Sequence, residues 1–238
     1  MATLRGGGPH RLRGCAPAHL PERAGIFPAP AGLQGMASTS SRPFRALREL
    51  TSVLAAAAVA LIARSSFADH YVVPTGSMLP TVQLQDHVLV SKLAYGVHLP
   101  LLPGYVARFG GPARGDVVVL TAPDTGIVLL KRIAGVPGDR VRVHDGALEV
   151  NGKRVPIQER DGVPYEALGA GSHPLGLDDG GGPEFGPVTL PVDRYLVLGD
   201  NRGNSRDGRY FGLVERDAIL GHVEGVLYRG GRPTWIGL

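Results

Sequence analysis

Residues 140–157 read RVRVHDGALEVNGKRVPI, and their pattern decides the fold class. Val141 and Val143 alternate with Arg140, Arg142 and His144, the period-two signature of a half-buried strand. Ala147 to Val150 and Lys153 to Ile157 read as two further strands. Between them stand Asp145-Gly146 and Asn151-Gly152. Two-residue type I′ turns need positive φ at both central positions, which Asp-Gly and Asn-Gly supply at little strain. The stretch therefore predicts two successive β-hairpins.

Outward from it the pattern stays β. Val88 to Val90, Asp116 to Leu120 and Ile127 to Ala134 read as strands on the N-terminal side. Tyr195 to Leu198 and His222 to Tyr228 follow on the other. No segment after residue 69 holds a period of 3.6. Residues 169–187, GAGSHPLGLDDGGGPEFGP, read as a long mobile loop. The 238 residues include 35 Gly and 20 Pro, without a G-X-Y repeat. That excludes collagen and fits many turns.

The charge is unevenly placed. Residues 1–49 carry seven Arg and two acids, whereas the remainder has 18 basic and 19 acidic groups. A nucleic-acid-binding domain would carry its charge on a folded face; an Arg-rich arm before an apolar run points to a membrane. Residues 1–42 have no apolar period and read as a disordered arm. Met36 offers an alternative start that would leave 1–35 untranslated. Leu50 to Ala63, LTSVLAAAAVALIA, would span about 21 Å as a helix, against ~30 Å of hydrocarbon. Extension to Ala68 gives 19 residues, with Arg64 snorkelling. The residues alone leave three readings open: a soluble helix, a leader cut after Ser66-Phe67-Ala68, or an uncleaved anchor.

Three segments could carry chemistry. The first is Pro74-Thr75-Gly76-Ser77-Met78-Leu79-Pro80-Thr81. Its prolines stiffen the backbone, so that Ser77 can offer a hydroxyl and an N–H to one carbonyl. Alone it reads more readily as a turn serine in a Pro-rich connection. In the second, Ile127, Leu129, Lys131 and Ile133 share a strand face. An amine sheltered there falls from ~10.4 to ~7–8, at about 3–5 kcal/mol of disfavoured charge. Such an amine is neutral near pH 7 and can act as a base. The other reading lays the stem along the sheet with the head in water. The third is GDNRGNSRDGRYFG, residues 199–212, a polar loop directly after an apolar strand. Its Arg202, Arg206 and Arg209 would repel a cation, and the calcium-loop spacing is absent. G-x-S-x-G, H-E-x-x-H and the Walker A loop are also absent, and the single cysteine, Cys15, supports neither a disulfide nor a zinc site. His70, His87 and His222 lie in no comparably distinctive segment.

PTGSMLPT, LLKRIAGVPGD (129–139) and GDNRGNSRDGRYFG, in this order behind an apolar run, resemble the type I signal peptidases. The resemblance covers about residues 43–228. It implies a membrane-bound serine endopeptidase that removes signal peptides from exported preproteins after small residues. It implies Ser77 as nucleophile and Lys131 as general base, a recognised variant of triad logic. The Ser77 N–H and the Thr75 hydroxyl would form the oxyanion hole. Ser205 would hydrogen-bond and orient the lysine. Asp207–Arg209 and Asp200–Arg132 would be supporting ion pairs. Gly203 stands where many members carry Asp, which predicts a more flexible loop.

The implied fold is mainly β: an antiparallel catalytic core at 69–238, with a smaller inserted β lobe at about 140–190. One transmembrane helix at 43–68 would precede it. The N-terminus would be cytoplasmic and the protease domain outside the plasma or inner membrane. Leu99 to Pro103 would dip into the bilayer surface or pack on the core. Partners would be preproteins, the lipid bilayer and the translocation machinery. No nucleic acid, metal or cofactor is implied. Two other functions remain consistent with the residues: a specialised peptidase for one secretion, pilus or conjugation substrate, and a non-catalytic secreted β-domain.

Overall fold

The computed structural model describes residues 48–56, 68–98 and 105–238. An eight-stranded sheet forms its base. The order is Ala68–Val72, His87–Ser91, Ile219–Arg229, Val117–Thr121, Val128–Gly135, Arg194–Leu198 and Val214–Glu215, with Arg232–Gly237 also bonded to Ile219–Arg229. Every strand pair in it is antiparallel. The eleven-residue strand Ile219–Arg229 serves three partners and shifts register at three points along its length. Such irregularities bend a strand and increase its twist. Val88, Val90, Val117, Val119, Val223 and Val226 from this sheet close over Met78 and Val82.

The opening hairpins form as the residues dictate. Arg140–His144 pairs with Ala147–Val150, and that strand with Lys153–Arg154. Asp145, Gly146, Asn151 and Gly152 all have positive φ, 49°, 72°, 54° and 76°. Val141 and Val143 are buried between exposed neighbours. With Leu148, Val155 and Leu168 they pack on Ala134, Leu196 and Leu198 of the main sheet. Each such side chain contributes roughly 1.5–3 kcal/mol. A second small sheet joins Ile157–Arg160, Val163–Leu168 and Gly171–Pro174.

Several readings need correction. The expected strand 153–157 breaks, because Pro156 has no N–H for the ladder. Residues 169–187 are not a free loop: Gly171–Pro174 pairs with Val163–Leu168, and Phe185–Thr189 pairs with Arg140–His144. The span between is pinned by Arg209 Nη1, which donates to the Gly181 carbonyl at 2.6 Å. Gly203 does not loosen its loop. A Cβ there would lie 2.3 Å from the Asp179 carbonyl oxygen, so the bare backbone is a close-packing surface. Ala68 opens a strand instead of closing a helix. Residues 48–56 are helical, and among the described residues no helix is long and apolar enough to cross a membrane. The rest of the expected anchor, the arm and Leu99 to Pro103 lie outside the described residues.

Candidate active site

Ser77 sits in a chain reversal anchored from both ends. Leu79 N–H donates to the Gly76 carbonyl and Val82 N–H to the Met78 carbonyl. Met78 and Val82 are wholly buried in the core. The serine's own carbonyl accepts from the Asn201 N–H at 3.1 Å, and Asn201 Nδ2 donates to the Gly76 carbonyl at 3.3 Å. The nucleophile segment and the 199–212 loop are thus bonded to each other.

Lys131 lies on the strand Val128–Gly135 opposite Val118. It is 2% exposed. Its Nζ is 2.6 Å from Ser77 Oγ and 2.8 Å from the Leu130 carbonyl. Burial pulls the amine down to about 8, while Asp207 and Asp200 pull it the other way. Burial wins because neither carboxylate bonds the amine and each has its own guanidinium partner. A neutral fraction, roughly a tenth at pH 7, therefore exists, in which Nζ carries a lone pair able to accept a proton.

Arg132, the next residue, projects to the other side of its strand. Its guanidinium donates to Asp200 through Nε at 2.8 Å and Nη2 at 2.7 Å, and through Nη1 to the Gly115 carbonyl. Burial pushes the Asp200 carboxyl up, but Arg132 outweighs it and holds the group below its usual range. Asp200 also accepts from the Thr81 hydroxyl at 2.6 Å. Asp207 accepts from Arg209 Nε and Nη2, both at 2.8 Å, and from the Gly199 N–H at 2.9 Å. It also caps the short helix Gly208–Phe211, accepting from the Arg209 N–H.

One implied contact differs. Among the described residues, Ser205 Oγ is buried but has no hydrogen-bond partner, and Lys131 bonds only Ser77 and Leu130. The hydroxyl instead packs over Gly199, where a Cβ would stand 2.1 Å from it. Thr75 is exposed and lines a cavity of about 150 Å³ that Lys131 also lines. Tyr71, Val88, Ile127 and Leu129 supply apolar wall there. A larger groove of about 1040 Å³ includes Arg114, Arg132 and His222 but neither Ser77 nor Lys131. The smaller cavity is therefore the one beside reactive groups.

Sequence reasoning did not single out Asn201, Thr81, Arg202 or Glu166. The first three stand inside quoted segments, so density of polar residues was their signal. Glu166 had none, since its partner Arg202 is 36 residues away.

A protein-family profile described as "Signal peptidase, peptidase S26" matches residues 47–228. The chain is 34% identical over 178 residues to "Probable signal peptidase I-2" of Synechocystis sp., covering 72% of this chain and 68% of that protein. It is 35% identical over 192 residues to "Signal peptidase I" of Pseudomonas fluorescens, covering 68% and 66%. The chain thus spans about two thirds of the length of these relatives. A crystal structure of a signal peptidase I from Enterococcus faecalis V583 is 25% identical, covers 48% of this chain and 97% of that one, and has a TM-score of 0.35.

Proposed function

The chain belongs to the signal peptidase family, peptidase S26, and from that premise we propose that it cleaves signal peptides from exported preproteins with Ser77 and Lys131 as its catalytic dyad. The observation that carries this reading is the 2.6 Å separation of Ser77 Oγ from an amine buried enough to be a base near neutral pH. Neutral Lys131 takes the hydroxyl proton as Oγ attacks the scissile carbonyl. The Ser77 N–H and Thr75 hydroxyl receive the developing oxyanion, a donor of this kind contributing roughly 3–4 kcal/mol. The ammonium then protonates the leaving amine, which departs as the new N-terminus of the mature protein. Lys131, neutral again, takes a proton from water as it attacks the acyl-enzyme, then returns that proton to Ser77 Oγ as the ester bond breaks and the signal peptide leaves with its new carboxyl end.

The apolar cavity of about 150 Å³ beside Lys131 is small. It suits residues of alanine size before the cut. Asp200–Arg132 and Asp207–Arg209 hold the supporting loop. Ser205, buried and unpartnered, is the group left to accept from the amine when Lys131 turns. Residues 43–67 act as the membrane anchor, with the N-terminus cytoplasmic and residues 68–238 outside. Ser77 lies nine residues after Ala68, which holds the site at the bilayer surface where preproteins emerge from the translocation machinery.

The test is cleavage of a preprotein ending in Ala-x-Ala by the full chain in detergent. Ser77→Ala and Lys131→Met are expected to lose cleavage while keeping the circular dichroism of the parent. Full activity in either folded variant refutes the dyad.

A further inference from the structure

Two buried polar groups of the small sheets take no part in the dyad. Glu166 on Val163–Leu168 and His173 on Gly171–Pro174 face each other across a ladder. They are 0% and 5% exposed. Glu166 receives the guanidinium fork of Arg202, with Nη2 to Oε2 at 2.6 Å and Nη1 to Oε1 at 3.2 Å. Burial pushes the Glu166 carboxyl up, but Arg202 and His173 hold it below its usual range. The same guanidinium donates to the Gly199 carbonyl at 3.2 Å and to the Gly146 carbonyl. His173 Nε2 stands 3.4 Å from Glu166 Oε2 and 3.6 Å from Asp200 Oδ1, without a hydrogen bond to either. The backbones are joined as well. Gly176 N–H donates to the Asp200 carbonyl and Arg202 N–H to the Gly176 carbonyl, both at 2.9 Å.

These contacts converge on one loop. Residues 199–207 carry the Asn201 N–H bonded to the Ser77 carbonyl, the Asp200 carboxylate on Arg132, and Asp207. An ionised carboxylate with no exposure is retained only where it is paired and hydrogen-bonded. Its partner here is the residue that bridges the small sheets to Gly199.

We propose that Glu166, acting through Arg202, is a positioning residue for the Ser77–Lys131 dyad: the small sheets hold the 199–207 loop down and so keep water from the Lys131 amine. This rests on the peptidase reading of the site. The charged groups around the amine are Asp200 and Asp207 from the loop and Arg132 from its own strand. Around Glu166 they are Arg202, His173 and Asp200. Loosening the loop admits water, removes the burial that makes the amine weakly basic, and shifts the serine by a fraction of an ångström. Misplacement of about 1 Å can lower turnover about 10²-fold.

Glu166→Gln keeps the volume and one accepting oxygen but drops the charge. Arg202→Lys keeps the charge and loses the fork. Either variant is expected to lower kcat at pH 7 by tenfold or more with KM within twofold. Each is also expected to move the rising limb of kcat/KM to higher pH, so that activity recovers in part near pH 10. Trace acetic anhydride labelling of Lys131, read by mass spectrometry across pH, should show the same upward move without any substrate. A folded Glu166→Gln or Arg202→Lys protein with parental limb and labelling curve overturns the proposal. Hydrogen exchange on the unsubstituted chain needs no variant. The amides of Gly176, Asn201 and Arg202 are expected to open in one unit with Val163–Leu168. Opening of the loop while that strand stays protected overturns it too. Failure of the peptidase reading looks different, because it shows as cleavage by Ser77→Ala or none by the parent, and the labelling and exchange arms remain informative.

Discussion

Replacing Lys131 by Met should change the pH dependence of stability in a way fixed by the structure. The amine falls from 10.5 to about 8 in the folded chain because burial disfavours its charge. At about 1.36 kcal/mol per pH unit, that corresponds to about 3 kcal/mol. Below pH 8 the lysine is protonated in both folded and unfolded chains, so the whole penalty is present. Between about pH 8 and 10.5 the unfolded chain holds the proton and the folded one does not. Stability then rises with pH, by up to about 1.4 kcal/mol per unit, until both forms are neutral. Methionine has similar length and nothing to titrate. It also loses the bonds to Ser77 and the Leu130 carbonyl, which displaces the variant's curve by a nearly constant amount. The quantity to measure is therefore the difference between parent and variant. Urea unfolding of the full chain in mild detergent, repeated from pH 6.5 to 11, gives it directly. The variant's advantage should shrink by about 3 kcal/mol over that range, with the steepest change near pH 9. Curves that run parallel would falsify the claim that Lys131 is held in a desolvated site.

Four further outcomes are expected. The kcat/KM of the parent should climb tenfold per pH unit below pH 8 and level off above it, as the amine becomes neutral; a flat profile in steady-state assays contradicts an amine base. Arg132→Met strands the Asp200 carboxylate in the interior and should cost about 3–5 kcal/mol in urea unfolding, whereas pairing it with Asp200→Leu should recover much of that. Gly203→Ala places a methyl 2.3 Å from the Asp179 carbonyl oxygen and should destabilise by about 1–3 kcal/mol, seen as a lowered Tm. Arg206→Ala removes an ion pair to Asp124 whose side chains are 54% and 34% exposed, and should change stability by less than about 1 kcal/mol.

What could be read in advance depended on sequence separation. The hairpins at 140–154 were legible because Asp145-Gly146 and Asn151-Gly152 settle their own backbone, whatever surrounds them. Lys131 was legible as an oddity, a cation between Leu129 and Ile133, but local pattern could not say whether its head was buried. That depended on Ser77, 54 residues away. The 169–187 stretch misled because glycine reads locally as freedom. In the folded chain, Gly181 and Gly203 instead let backbones approach, and Arg209 bonds across the gap. Pro156 cut a strand whose residues otherwise alternate well. The Ser205 position followed from resemblance, yet its hydroxyl makes no hydrogen bond to the amine and packs over Gly199, a contact no one-dimensional pattern records. Glu166 sits in VPYEAL, where an acid in a strand carries no mark of its partner.

Lys131 and Arg132 are neighbours that serve unlike tasks, one facing the serine and the other gripping Asp200. Side chains alternate with a period of two, so a deletion or insertion of a single residue between Leu120 and Lys131 would exchange their seats. A guanidinium that never gives up its proton would then confront the hydroxyl, and an ammonium with no planar fork would meet the carboxylate. Composition, burial and net charge would be almost untouched, yet the proton transfer we propose for the dyad would stop. Strand parity, a counting property, is therefore as much a chemical requirement here as any named side chain.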